Sequence, residues 1–158
     1  FNLAGLVGSY HIIYNSYLRD RVCAQSSKAH YNDMNVLSMH ALIGAYKPEG
    51  YEWVDELRVV LSGNVNYVCD YITQHFEGVS VSKPQGTYML FLDCTEWCKK
   101  HEKTIDQLEK SGWDVGVAWQ DGRMFYGPQC SIRLNLALPL SRVQEAMKRL
   151  DRYVFNAE

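Results

Sequence analysis

A run of about 20 apolar residues, which a membrane-spanning helix requires, occurs nowhere in this 158-residue sequence. A membrane is therefore not an expected partner. An excess of charge of either sign is missing too: 16 Lys and Arg stand against 18 Asp and Glu, for a net charge of -2. Because the cations are scattered rather than massed, nucleic acid is not expected as the main partner either. Cysteine is present but lacks a framework. Cys23, Cys69, Cys94, Cys98 and Cys130 are odd in number and widely spread, unlike the dense pairing of small secreted domains. This usage points to a reducing, cytoplasmic setting. The N-terminus has no charged-then-apolar signal segment, and its opening "FNLAGL", without Met, reads as the interior of a longer chain. Catalytic signatures are wanting as well. There is no glycine-rich phosphate loop, no HExxH, no GxSxG, and no carboxylate pair spaced for acid–base work.

At 47% hydrophobic and 22% charged residues, the chain has the composition of a soluble globular protein with one sizeable core. "SYHIIYN" (9–15) has the pattern of a buried strand, and "LRDRVCAQ" after it suits a surface helix or loop. A helix follows through "VLSMHALIGAY", capped by Asn32 or Asp33 and closed by Pro48 with Gly50. From Trp53 the spacing is unambiguous. Trp53, Leu57, Leu61, Val65, Val68, Ile72 and Phe76 recur every three or four residues, predicting one amphipathic helix. At 1.5 Å per residue it would run to roughly 36 Å, and Gly63 inside it marks a bend or a close approach.

After Gly78 the period changes to alternation: a short strand in "VSVS", a turn at Pro84 to Gly86, and a nearly continuous apolar strand from Tyr88 to Leu92. "TIDQLEKSG" predicts a helix with a capping box from Thr104 to Gln107 and a stop at Gly112. "WDVGVAW" reads as a strand, "QDGRMFYGPQ" as a loop, and "CSIRLNLAL" as another strand. A second capping box, Ser141 to Gln144, opens a final helix whose apolar stripe is Val143, Met147, Leu150 and Val154. The expected fold class is α/β, with an α+β small domain at 77–158. A connecting helix at 51–76 leads into it from residues 1–50, which hold too little to close a core and read as the tail of another domain.

Four groups of residues invite a chemical reading. Cys94, Cys98 and His101 would line one side of a short helix, but no second Cys/His pair completes a metal set, so no metal is expected. His11, His30, His40 and His75 form no motif, and Tyr10, Tyr14, Tyr17 and Tyr88 suit core and rim. Asp93 ends a strand where a carboxylate caps the following helix. Arg133 is different. Alternation puts Ile132, Leu134, Leu136 and Leu138 on one face of its strand and Ser131, Arg133, Asn135 and Ala137 on the other. A permanent cation on a buried strand needs an anion. The turn-rich loop from Asp121 to Pro128 would wall a pocket around it. The anion could be a structural Asp or Glu or a ligand, and Asn135 is open in the same way.

Several strings together resemble one family. "FNLAGL" is similar to the segment just after the cofactor lysine of fold-type I pyridoxal-phosphate-dependent enzymes, Ser-Lys-x-Phe-Asn-x-Ala-Gly-Leu. "GSYHIIYN", "VLSMHALIGAY", "PQGTYMLFLDC" and "IRLNLALPLSRVQEAMKRL" follow in the order of the MalY/PatB-like cystathionine β-lyases, a C–S lyase branch of the aminotransferase superfamily. The resemblance implies that 1–50 is the tail of a large pyridoxal-phosphate-binding domain and 77–158 the C-terminal small domain of a dimeric enzyme. It implies that Arg133 grips the α-carboxylate of an amino-acid substrate. It also implies that the Schiff-base lysine would lie two positions before Phe1, in an N-terminal remainder of the enzyme. No catalytic residue is expected in this fragment, which alone would be inactive, and its cofactor contacts are undefined; Lys28, Lys47 and Lys83 have no matching context. The implied reaction is elimination of a thiolate from cystathionine or a related sulfur amino acid, giving pyruvate and ammonia. The family strand reads Arg-Leu-Asn-x-Ala-Cys-Pro-Arg, and here Leu138 and Leu140 replace the Cys and the final Arg. An aminotransferase of the same fold is the alternative, and a noncatalytic carboxylate-binding or interaction module is a third reading.

Overall fold

The computed structural model describes residues 1–29, 33–125 and 127–157. It divides into two compact units, Phe1–Glu56 and Leu57–Glu158. The first holds a short 3-10 turn at Ala4–Leu6, helix α1 (Ser16–Ala29), helix α2 (Val36–Ala45) and the start of helix α3 (Pro48–His75). Asn35 caps α2: its side-chain oxygen accepts the Ser38 N–H at 2.9 Å. Its amide nitrogen and the Ser38 hydroxyl both donate to the Leu6 carbonyl, at 3.2 and 2.7 Å, which ties the opening turn to the helix.

Three expectations change in this unit. The cap is Asn35 rather than Asp33, while Asn32 and His30 lie outside the described residues. Pro48 and Gly50 do not close α2. Pro48 is the first residue of α3, a position that tolerates proline because its missing N–H has no helical partner. Residues 9–15 form no strand, and Tyr14 is 92% exposed. An apolar segment shows that a surface suits burial, but a strand also needs a neighbour for its backbone hydrogen bonds, and no strand is described in Phe1–Glu56.

The second unit is an α+β domain on a four-stranded antiparallel sheet. Its strands are β1 (Ser80–Val81), β2 (Met89–Asp93), β3 (Gln120–Asp121) and β4 (Ser131–Asn135), in the order β1-β2-β4-β3. Helices α4 (Thr95–Lys100), α5 (Ile105–Asp114) and α6 (Leu140–Leu150) complete it. Leu90 pairs with Leu134 and Leu92 with Ile132, so four fully or nearly buried side chains share one face of the sheet. They belong to one core with Val65, Val68, Ile72 and Phe76 of α3, Leu108 of α5, and Val143, Met147 and Leu150 of α6. The α6 stripe and the second half of the α3 stripe, from Val65 on, reach this core, whereas Trp53, 44% exposed, and the half-buried Leu57 and Leu61 are not part of it. No described helix is long and apolar enough to cross a membrane.

A buried polar residue sits in the α3 stripe. Asn64, 1% exposed, donates both amide hydrogens, to the Leu136 carbonyl at 2.9 Å and the Leu138 carbonyl at 2.8 Å. These carbonyls follow β4, where the chain has left the ladder, so Asn64 supplies the partners that the sheet no longer gives. A Cβ built on nearby Gly63 meets no atom within 4 Å, so close packing is not its role.

The capping box at Thr104 and Gln107 forms as expected, with bonds of 3.3 and 2.9 Å. The stop at Gly112 does not. Helix α5 runs on to Asp114, and "WDVGVAW" gives its last residues and a connection instead of a strand. The terminating residue is Gly116, at φ +75. Its N–H bonds the Trp113 carbonyl and the Val117 N–H bonds the Gly112 carbonyl, a Schellman closure that needs the left-handed backbone glycine adopts freely. Gly112 is glycine for another reason: a Cβ there would stand 2.2 Å from the Trp119 ring. The second capping box is also absent. Helix α6 begins at Leu140 with Pro139 as N-cap and no side-chain cap bond, so Ser141 already lies inside the helix.

Two stability outcomes follow. Gly112→Ala should lose about 1–3 kcal/mol by overpacking against Trp119, although Ala is the better helix former by about 1 kcal/mol; urea denaturation decides, and a gain in stability would contradict the packing. Asn64→Asp, nearly isosteric, should destabilise by more than about 2 kcal/mol and by more than Asn64→Ala, because a carboxylate would face two carbonyls with nothing to donate. Equal midpoints for Asn64→Asp and the parent would show that the two bonds carry no stability.

Candidate functional site

The site is built on the sheet face turned away from the core. Antiparallel register sets Arg133 of β4 opposite Phe91 of β2 on one side and opposite Gln120 of β3 on the other. Ile132 and Leu134 occupy the core, so Arg133 must project from the opposite face. It is partly exposed there rather than buried, and the desolvation cost that the sequence suggests is correspondingly smaller.

A 3-10 turn at Gly122–Phe125 lies over this face, as does Gly127. Two glycines let the loop lie directly on the strands: a Cβ at Gly122 would stand 2.1 Å from the Ser131 hydroxyl, and one at Gly127 would stand 2.4 Å from the Phe91 ring. The buried Ser131 hydroxyl donates to the Pro128 carbonyl at 2.6 Å and pins the far end of the loop. Arg123 pins the near end. Its guanidinium reaches Asp121 at 2.6 Å and Asp106 at 2.7 Å, and its presence holds the Asp121 carboxyl below the ordinary carboxylate range. The Arg123 guanidinium is in turn pushed up by hydrogen bonding to Asp121 and then Asp106.

Arg133 is held in a different way. Its Nε donates to the Gln120 Oε1 at 2.8 Å and its Nη2 donates to the same oxygen. The Phe125 ring lies against the guanidinium, 3.8 Å from ring centroid to Cζ, in cation–π geometry. Among the described residues no carboxylate forms an ion pair with Arg133, while the neighbouring Arg123 has two. The structural ion pair left open by the sequence is thus not found among them. The cation is oriented by a neutral amide and an aromatic face.

Asn135, on the same strand face, is exposed and uses its side-chain oxygen on the Ala137 N–H at 2.9 Å. It serves the turn after β4. Asp93 does what a strand-ending carboxylate usually does: Oδ1 accepts the Thr95 N–H at 2.9 Å at the start of α4. Cys94 and Cys98 are buried in the core, His101 stacks on Trp97 at 4.6 Å, and no group of described residues is arranged to hold a metal. Burial raises the Cys94 thiol, and burial with a hydrogen bond to Cys130 pushes Cys98 up to about 12, so both stay protonated.

Gln120 and Phe125 were not singled out by the sequence. Gln120 follows a segment that reads as a strand, and its β pairing starts one residue after that segment ends. The signal available was register: once Gln120–Asp121 pairs with Ile132–Arg133, a polar side chain must stand beside the arginine.

No family model matches the chain. MalY of Escherichia coli (strain K12) is 30% identical over 155 residues, covering 95% of this chain and 38% of MalY. Cystathionine β-lyase PatB of Bacillus subtilis (strain 168) is 26% identical over 152 residues, again covering 95% of this chain and 38% of PatB. A pyridoxal-phosphate-bound structure from Clostridium difficile 630, provisionally classed as an aminotransferase, superposes with a TM-score of 0.80 at 27% identity. It covers 96% of this chain and 38% of that one. The chain thus spans little more than a third of the length of these relatives. Pyridoxal phosphate fits the family but not this chain's own lysines. Every lysine among the described residues is exposed, Lys28, Lys47 and Lys83 included, whereas a Schiff-base lysine needs an enclosed site. With a fold and matches over nearly the whole chain that agree, the chain is homologous to a C-terminal part of pyridoxal-phosphate-dependent C–S lyases and aminotransferases, MalY and PatB among them.

Proposed function

We propose that this chain is the carboxylate-binding part of a pyridoxal-phosphate-dependent C–S β-lyase acting on cystathionine or related sulfur amino acids, with Arg133 as the clamp on the substrate α-carboxylate. The observation that carries the reading is the contrast between two arginines ten residues apart in the sequence but opposite in pairing: Arg123 has its charge answered by Asp121 and Asp106, whereas Arg133 meets only Gln120 and Phe125 among the described residues. A guanidinium presents a planar fork of donors, which a carboxylate matches with two parallel bonds. The similarity to PatB, a cystathionine β-lyase, suggests the substrate class.

The rest of the enzyme would hold the cofactor and the lysine that carries it, and the whole would act as a homodimer. When bound, the cofactor serves as the electron sink for the carbanion at the substrate Cα. This chain's share is binding and orientation. The carboxylate on Arg133 fixes one end of the amino acid, the Phe125 ring closes one face of the guanidinium, and Phe91 walls the strand beside it.

An aminotransferase of the same fold is the second reading. It is favoured by Leu138 and Leu140, 49% and 42% exposed, which stand where the lyase strand carries Cys and Arg. Both readings place the α-carboxylate on Arg133, and product analysis separates them: pyruvate and ammonia from cystathionine, or a keto acid formed only with an amino acceptor.

In the complete gene product, Arg133→Ala should lower kcat/KM for amino-acid substrates by about 10²-fold or more, since truncating one partner of a charge pair costs about 2–5 kcal/mol. Steady-state kinetics with cystathionine checks this, and an unchanged kcat/KM would refute the clamp.

A further inference from the structure

Beyond the clamp itself, the structure shows how it is kept available. A guanidinium has five N–H donors and two edges on which a carboxylate can dock in bidentate fashion: the side edge, Nε with Nη2, and the end edge, Nη1 with Nη2. The Gln120 Oε1 takes the whole side edge, bonding both Nε and Nη2. Phe125 covers one face of the plane at 3.8 Å. Among the described residues nothing bonds Nη1. What remains for an incoming anion is the end edge.

Gln120 is well suited to this task because it is neutral. Its oxygen orients the cation as a carboxylate would, yet leaves the positive charge unanswered. Its own position is fixed by the β3–β4 ladder, where Gln120 is the direct partner of Arg133, and by Asp121 next to it, whose carboxylate accepts the Arg123 N–H at 2.8 Å and so anchors the strand end to the loop bearing Phe125.

We propose that Gln120 and Phe125 are a positioning pair that leaves the Arg133 charge uncompensated and open along its Nη1–Nη2 edge, so that a carboxylate is admitted end-on. This rests on the reading of Arg133 as a carboxylate clamp and adds the residues that set its direction. It makes the identity of residue 120 a specificity switch. A glutamate there would keep the geometry but neutralise the cation from within, competing with the ligand.

The test measures binding to the complete gene product by calorimetry, with L-alanine as the carboxylate probe and ethylamine as its carboxylate-free counterpart. Thermal midpoints are recorded for each variant. Gln120→Glu should weaken L-alanine about 10-fold or more, a change equivalent to about 1.4 kcal/mol, and leave ethylamine unchanged, with a midpoint equal to or above the parent's. Gln120→Ala, which frees the guanidinium without neutralising it, should weaken L-alanine less than Gln120→Glu does. Stability and affinity moving in opposite directions is what a merely structural glutamine cannot produce. If Gln120→Glu binds L-alanine as the parent does, or loses affinity only together with thermal stability, the positioning role is overturned. Arg133→Ala separates the two levels. Parent-like L-alanine binding in that variant overturns the clamp itself, whereas its loss beside an unaffected Gln120→Glu leaves the clamp standing and overturns only the role of Gln120.

Discussion

The pairing of β2 with β4 is the constraint on which both the core and the site depend. Leu90, Leu92, Ile132 and Leu134 must face the helices, because their burial drives the second unit to close. Strand alternation then leaves Phe91 and Arg133 no choice but the opposite face. A one-residue slip would carry the guanidinium into the core and the leucines out of it, so the hydrophobic effect, without touching the arginine, fixes where its charge appears. The position of the charge is a by-product of register.

The loop between β3 and β4 converts that exposed charge into a directed one. Glycines at 122 and 127 let the backbone settle on Ser131 and Phe91, and Arg123 bridges the loop to Asp106 at the start of α5. These contacts are partly exposed, and their individual contributions to stability are small. Their value lies in geometry: they place Phe125 against one face of Arg133, and β3 places Gln120 along one edge. A carboxylate-paired arginine, Arg123, and an amide-held one, Arg133, thus stand ten residues apart in the sequence.

Much of this was legible in the sequence, and the failures have physical causes. The α3 and α6 stripes, the Thr104 capping box and the face carried by Arg133 follow from spacing alone, because helix and strand periods are local properties. The strand expected at 9–15 did not form, since pairing needs a neighbour that periodicity does not supply. The end of α5 was misplaced because two glycines, Gly112 and Gly116, compete for the same signal. One admits the Trp119 ring and the other terminates the helix, and only the tertiary contact distinguishes them. Asn64 and Gln120 were missed for a shared reason: a polar residue on a periodic pattern reads as surface until its partner, a free carbonyl or a guanidinium, is known. The carboxylate-clamp reading of Arg133 came from the resemblance, while the pairing contrast with Arg123 came from the structure.

The most direct measurement is a crystal structure of the complete gene product with a bound amino acid or amino-acid inhibitor. The account predicts the ligand carboxylate on the Nη1–Nη2 edge of Arg133, with Gln120 still on the Nε side and Phe125 beneath the plane. A carboxylate bound elsewhere, with Arg133 paired to an Asp or Glu of the protein, would contradict it.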